Sequence, residues 1–296
     1  MRTYAEYLAS IFGPGKYQKL TLNAGHDCPN RDGTLGYGGC IYCSNQAFSP
    51  AYCHAAATLE EQLQAGRAFF SRKYHDKRWL PYFQTYTSTN ADLDELRRQY
   101  ISMLAPDDVA GMVVSTRPDA LPTPVIGLLS SLPKPVLVEI GAETSHDRIL
   151  ETINRRHTWA QTMDAVERCA ANGLHVGLHL IAGLPGDDDD GLLLTIDRCC
   201  RLPIDTIKLH HLQVLKGTLL AHMADRGEVR VPELTLEHYL DLCAAIVRRV
   251  PGRITIERFV AQAPEGLLIS PRWGLKNYQF MNLLRKKLRE DAQAPM

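Results

Sequence analysis

The sequence lacks any excess of charge, with 33 lysines and arginines against 33 aspartates and glutamates. A balanced chain gives no global electrostatic case for nucleic acid, a membrane surface or acidic ligands, and leaves only local basic patches open. It also lacks an apolar run approaching the roughly 20 residues that cross a bilayer. The N-terminal stretch MRTYAEYLASIFGPGKYQ has neither an apolar export core nor a small-residue cleavage site, so a soluble cytoplasmic protein without membrane contact is expected. Repeats of fixed period and low-complexity tracts are missing too, since DDDD at Asp187–Asp190 is too short to count. What remains is an ordinary globular chain of 296 residues, 45% apolar. That is one large domain or two small ones, with core enough to need no disulfides.

Short β-rich runs alternate with longer amphipathic stretches, and this rhythm predicts βα units around a mostly parallel sheet. Strands are expected at Lys19–Leu22, Pro81–Thr87, Gly111–Thr116, Val136–Glu143, His175–Leu184, Thr206–Gln213 and Ile254–Ala261. Several are apolar on both faces, as buried parallel strands are. Helices fall between them. Thr58 and Glu61 form a capping box ahead of LEEQLQAGRAFFSRKYH, Gly173 ends the helix over 158–172, and DDDD caps another. Six or seven such units fit a full or partial barrel, with an open doubly wound sheet as the competing architecture. Barrels of this kind do their chemistry at the C-terminal ends of the strands. Polar residues gather there: Thr87, Ser88 and Thr89; Ser115, Thr116 and Arg117; Glu143 and Thr144; His210 and His211.

Eight cysteines without an export signal read as thiols or metal ligands rather than disulfides. Three of them, Cys28, Cys40 and Cys43, lie in HDCPNRDGTLGYGGCIYCSN, a loop with four glycines that can wrap a compact inorganic object. Three readings stand open on spacing. Structural zinc would need a fourth ligand, such as His26, Cys53 or His54. A redox C-x-x-C would need no third cysteine. An iron–sulfur cube on three cysteines would leave one iron for a small molecule. Cys169, Cys199, Cys200 and Cys243 read as packing. Glu139, set inside a strand, is either a cofactor contact or a buried carboxylate paired with Arg155 or Arg156. Lys208 and His210 share a face of their strand, which is placed toward the barrel. The basic C-terminal stretch MNLLRKKLRE reads as a solvated amphipathic helix.

The C-x11-C-x2-C loop after the first strand, with Tyr42 just before its last cysteine, resembles the radical S-adenosylmethionine (SAM) superfamily. More narrowly, CPNRDGT…GGCIYC, PYFQTYTSTNA, STRPDALP, VEIGAET, INRRHT, HLIAGLPGD and IKLHHLQVLKGT resemble the bacterial YhcC family. That family is itself similar to the catalytic subunit of elongator and to oxygen-independent coproporphyrinogen III dehydrogenase. The resemblance runs from about Lys19 to Trp273. It implies an α/β fold, a partial (β/α)6 TIM-like barrel, with an N-terminal extension (1–18), a core barrel (19–230) and a C-terminal extension packed on the barrel (231–296). It implies a [4Fe–4S] cluster on Cys28, Cys40 and Cys43, with SAM on the fourth iron. One electron, from a donor such as flavodoxin or ferredoxin, would then yield a 5′-deoxyadenosyl radical that takes hydrogen from a substrate.

Carried over position by position, the resemblance puts Thr87, Ser88, Ser115, Glu139, Glu143, Arg155 and His179 near SAM. Two departures stand out: the second-strand motif is not glycine-rich, and Glu143 replaces a usual glutamine. Through elongator, the resemblance suggests RNA or a nucleotide-like substrate. The competing expectations are a non-catalytic iron–sulfur or zinc protein and a barrel enzyme of polar chemistry with structural zinc.

Overall fold

The computed structural model describes residues 2–55, 58–71 and 76–293. Seven strands lie parallel in one sheet: β1 (Lys16–Leu22), β2 (Lys77–Phe83), β3 (Met112–Thr116), β4 (Val136–Glu143), β5 (His175–Ala182), β6 (Thr206–His211) and β8 (Thr255–Arg258). They follow one another in that order across the sheet, with helices on the crossovers. Such an order, never doubling back, gives a half-barrel and not a doubly wound sheet. A short β7 (Val214–Leu215) pairs antiparallel with β9 (Leu268–Ser270) outside it.

The apolar runs explain the layering. Every residue of β4 is buried, as befits a strand covered on both faces. Val114, Val138, Ile140 and Leu178 belong to one core with Val166 and Ile196 of the crossover helices. Cys169, Cys199 and Cys243 are fully buried in that core, so their role is packing. At the other face, helix Tyr4–Phe12 sets Tyr7, Leu8 and Phe12 against Leu80, Tyr82, Val113 and Leu137. A Thr3–Glu6 capping box starts this helix. Burying each of those side chains contributes roughly 1.5–3 kcal/mol. Together they give the inner face an apolar floor, so polar residues further along the strands look into a closed-bottomed chamber.

Six of the seven strands differ from expectation at one boundary or both, β2 most of all. β2 begins at Lys77 and ends at Phe83 instead of spanning Pro81–Thr87. Its basic start, Lys77–Arg78, pairs with Lys16–Tyr17 of β1, a tertiary pairing that local composition does not announce. The residues from Gln84 to Thr89 therefore form a loop over the strand's end. To the six strands of the partial barrel the C-terminal segment adds a seventh, since β8 pairs with β6. Helix Leu59–Ser71 has the expected Thr58–Glu61 capping box, while the RKYH tail given to it lies outside the described residues. Asp188 caps the helix that follows GLPG, accepting from the Gly191 amide at 2.8 Å. The C-terminal helix Asn277–Gln293 buries Phe280 and Leu284 and turns its charged residues outward. No helix among the described residues is long and apolar enough to cross a membrane.

Candidate active site

The inner face of the sheet carries a buried charge cluster just above the floor. Glu139, 1% exposed, accepts hydrogen bonds from Lys19, His179 (2.6 Å), Tyr82 (2.7 Å) and Lys208 (2.8 Å). Glu257 takes Lys19 from the other side at 2.9 Å. Burial pushes the Glu139 carboxyl up, but Lys19 and Lys208 outweigh it and hold the group well below the usual carboxylate range. Burial brings Lys208 down to about 8 despite Glu139 and Glu257. It also lowers His179, so the short contact to Glu139 is a hydrogen bond from a neutral ring and not an ion pair. Glu139 is thus a buried carboxylate, as one of its two expected roles had it. Its partners, however, are lysines of β1 and β6 rather than Arg155 or Arg156.

Above this cluster, the cysteine loop folds over the C-terminal ends of the strands. Its backbone closes on itself through Arg31 N to Cys28 O (2.7 Å), Gly39 N to Asn30 O (2.8 Å) and Cys43 N to Cys40 O (3.0 Å). The loop docks on the turn after helix Asp147–Thr152 through Ile41 N to Ile153 O, and through Asn30 and Asn154, each donating to a carbonyl of the other segment. Cys28 and Cys40 are buried and Cys43 is half-buried; all three are free thiols. Burial, and then the neighbouring Cys40, pushes the Cys43 thiol up to about 12. Three thiolates gathered there would repel one another out of water, so their deprotonation calls for a cationic centre. Two donors already face Cys40 Sγ, Arg155 Nη1 at 3.6 Å and Asn30 Nδ2 at 4.0 Å.

This donor set fits a cluster. A cube places each thiolate on a different iron, so its ligands need not meet at one point. Among the described residues no three His, Cys, Asp or Glu converge as the ligands of a single ion would. Two of the three proposed fourth protein ligands, His26 and Cys53, point elsewhere. His26 places Nδ1 3.1 Å from the Ser88 carbonyl and Nε2 3.7 Å from Glu95. Cys53 donates to the Thr21 carbonyl. The His54 side chain lies outside the described part of the molecule.

A cavity of about 230 Å³ opens between loop and strands, lined by Cys40, Cys43, Ser115, Glu143, Arg155 and His179 among others. Arg155 is its best-anchored wall. It donates to Gly141 O (2.7 Å) and His157 Nε2 (3.0 Å) and pairs with Glu143 (3.1 Å). Burial and Arg155 keep His157 neutral, its pKa down to about 2. Gly141 makes room for this arrangement. A Cβ there would collide with the Arg155 guanidinium and stand 2.8 Å from Glu143 Oε1. Tyr86, Glu143, Asn154 and Arg156 all take positive φ without being glycine. Backbone in that region costs about 1–3 kcal/mol per residue and collects at functional sites.

The structure thus brings four of the expected cofactor residues, Ser115, Glu143, Arg155 and His179, to one cavity with two of the cysteines. It keeps the other three away from it. Thr87 and Ser88 are buried in the β2 loop, where the Ser88 carbonyl accepts from His26 and Tyr100 (2.7 Å) and its amide donates to Ser115 O (3.2 Å). Glu139 lies beneath, in the charge cluster. Sequence reasoning missed Lys19, Tyr82 and Asn30, and gave no site role to Arg117, 1% exposed on the cavity wall and paired with Asp119. For Lys19 the sequence held little signal, since β1 reads KYQKLTL and carries Lys16, Gln18 and Thr21 beside it.

The family model of the radical SAM superfamily matches residues 25–199, and that of the radical SAM C-terminal domain matches 204–290. Escherichia coli YhcC is 35% identical over 93% of this chain and 88% of its own length. The tRNA uridine(34) acetyltransferase of Methanocaldococcus jannaschii is 31% identical over 45% of this chain and 25% of its own. Among solved structures, Methanocaldococcus infernus Elp3 superposes with a TM-score of 0.71 at 16% identity, covering 95% of this chain and 64% of that one.

Proposed function

Since the chain belongs to the radical SAM superfamily, we propose that it is a radical SAM enzyme acting on RNA or a nucleotide-like substrate in the cavity beneath its cysteine loop. The family's cofactors are a [4Fe–4S] cluster and SAM. When bound, they supply an electron and a sulfonium whose cleavage gives methionine and a 5′-deoxyadenosyl radical able to take a hydrogen atom from substrate.

The observation that carries the reading is the convergence of Cys40, Cys43, Arg155 and Glu143 on one cavity whose fourth-ligand candidates His26 and Cys53 are engaged elsewhere. In this reading Cys28, Cys40 and Cys43 hold the cluster. Arg155, charged and pinned by Gly141, Glu143 and His157, offers its guanidinium to the SAM carboxylate and steadies Cys40. Glu143 accepts from the SAM amino group. Ser115 and neutral His179 provide uncharged contacts deeper in the cavity. The floor helix closes the chamber from below, one side of the water exclusion that a radical requires.

RNA or nucleotide chemistry is supported by the likeness to the tRNA-modifying relative over nearly half the chain. A small donor such as flavodoxin or ferredoxin supplies the electron. The division at residues 18 and 230 belongs to this proposal, with β8 returning to the core sheet. Eight free thiols suit a reducing cytoplasm.

The test is anaerobic reconstitution with iron and sulfide, then reduction with SAM present. Formation of 5′-deoxyadenosine, lost in Cys40→Ala, is expected. A reconstituted cluster that never cleaves SAM would favour a binding protein instead.

A further inference from the structure

The cavity has a second cationic wall, opposite the cysteine loop. Arg258 ends β8, His210 and His211 end β6, and Gln213 follows two residues on; all four line the cavity. The charges of the chamber pair off until Arg258 is reached. Glu139 and Glu257 answer Lys19 and Lys208, and Glu143 answers Arg155. Arg258 has no carboxylate among the described residues. Its Nη2 meets His210 Nε2 at 3.1 Å, and burial together with Arg258 keeps that imidazole neutral. A neutral acceptor satisfies a donor without balancing the charge. Arg258 Nε is buried and donates to nothing.

Two neighbours are also incomplete. Gln213 Nε2 lies 3.3 Å from His211 Nε2, a donation that puts the His211 proton on Nδ1. That Nδ1 has no partner, nor has Gln213 Oε1, although both side chains are more than nine-tenths buried. A half-buried guanidinium with a buried Nε and no counter-ion, in the same cavity wall as an unused buried N–H donor, is costly in a finished core. Its cost is offset when an anion arrives. Arg155 does not serve this place. Three strand steps separate β4 from β8, roughly 14 Å along the sheet at about 4.8 Å per step.

We infer that the β6–β8 wall, Arg258 with His211, binds an anionic group of the substrate, a phosphate or a carboxylate, while Arg155 holds the cofactor. The inference rests on the proposed function, because it treats the cavity as a substrate chamber. The Arg258 fork matches either oxyanion in bidentate fashion, and Gln213 Oε1 is left to accept from a hydroxyl or amide beside it.

The test uses the full chain, anaerobically reconstituted and saturated with SAM, titrated by calorimetry with inorganic phosphate and separately with acetate. One saturable site per chain is expected. Binding should weaken tenfold or more in Arg258→Gln and recover in part in Arg258→Lys. The tighter of the two anions identifies the source. Absence of saturable binding, indifference to Arg258→Gln, or displacement of the anion by SAM would overturn the inference. Should Arg258→Gln not fold, a wild-type crystal grown in phosphate decides. Anion density on Arg258 supports the inference, and density only elsewhere refutes it. Failure of SAM itself to bind would sink the proposed function; SAM binding without anion binding sinks only the anion site.

Discussion

Removing the charge of Glu139 is the sharpest perturbation of the chamber. Glu139→Gln keeps shape but leaves Lys19 and Lys208 sharing Glu257, and it removes the carboxylate oxygens that two donor-only ammonium groups met. Breaking a buried pair costs about 3–5 kcal/mol. Glu257 remains within 3.6 Å of Lys208 and 2.9 Å of Lys19, which places the loss near the lower end, about 3 kcal/mol. For a chain of this size that is a fall in Tm of roughly 6–12 °C. Urea unfolding of the variant reads the loss directly. The companion variant Lys208→Met removes the charge that Glu139→Gln strands, so the double variant should be less destabilised than the sum of the two singles by about 1 kcal/mol or more. A loss below about 1 kcal/mol in Glu139→Gln, typical of an exposed pair, or strict additivity in the double variant, would refute the view of this cluster as a mutually dependent buried network.

Further outcomes follow from the same geometry. Arg155→Gln should weaken SAM binding by roughly 10–100-fold, the worth of a charge-assisted hydrogen bond of about 1.5–3 kcal/mol; equilibrium binding that does not change would remove Arg155 from the cofactor site. Gly141→Ala should lower SAM affinity while circular dichroism stays native, since the added methyl displaces the guanidinium; unchanged affinity would show that the anchoring is dispensable. Cys53→Ala should keep the iron and sulfide content of the wild type, because its thiol faces Thr21; a loss of half or more would make it a ligand. His157 and His211 have pKa values depressed to about 2 and about 4, chiefly by burial. Unfolded imidazoles titrate near 6.5, so the unfolded chain takes up protons that the folded one refuses. The stability present above pH 6.5 should erode as pH falls, by about 1.4 kcal/mol per histidine at pH 5.5. Urea midpoints of the metal-free chain at pH 7.5 and 5.5 measure this, and the slope should flatten in His157→Gln.

The barrel was legible because its strands are apolar runs separated by amphipathic stretches, a pattern that survives without tertiary knowledge. β4 was placed to the residue, since VLVEIGAE is buried throughout and closed by Lys-Pro before and Thr-Ser after. β2 was misplaced because its first two residues, Lys77–Arg78, are held by pairing with β1 and not by their own hydrophobicity. The cysteine loop was legible from spacing and glycines, and Arg155 from the motif around it. Thr87 and Ser88 were drawn toward the cofactor by their nearness to the expected strand end; once β2 stops at Phe83, the loop turns them inward. Glu139 was visible as a buried carboxylate, but its partners come from strands 120 and 69 residues away, a distance that no local pattern bridges. Nothing in the sequence around Arg258 separates a salt bridge with Glu257 from a substrate contact. Only the positions of Glu257 and Lys19 show that the neighbouring carboxylate is already taken.

The central claim is a cube held by three thiolates with one iron left for SAM. Electron paramagnetic resonance of the reduced, reconstituted chain tests it most directly, with SAM carrying ¹⁵N in its amino group and ¹⁷O in its carboxylate. The account predicts a [4Fe–4S] signal that changes on adding SAM and shows hyperfine coupling to both labels. A signal indifferent to SAM, or zinc in place of iron in the cysteine loop, would contradict it.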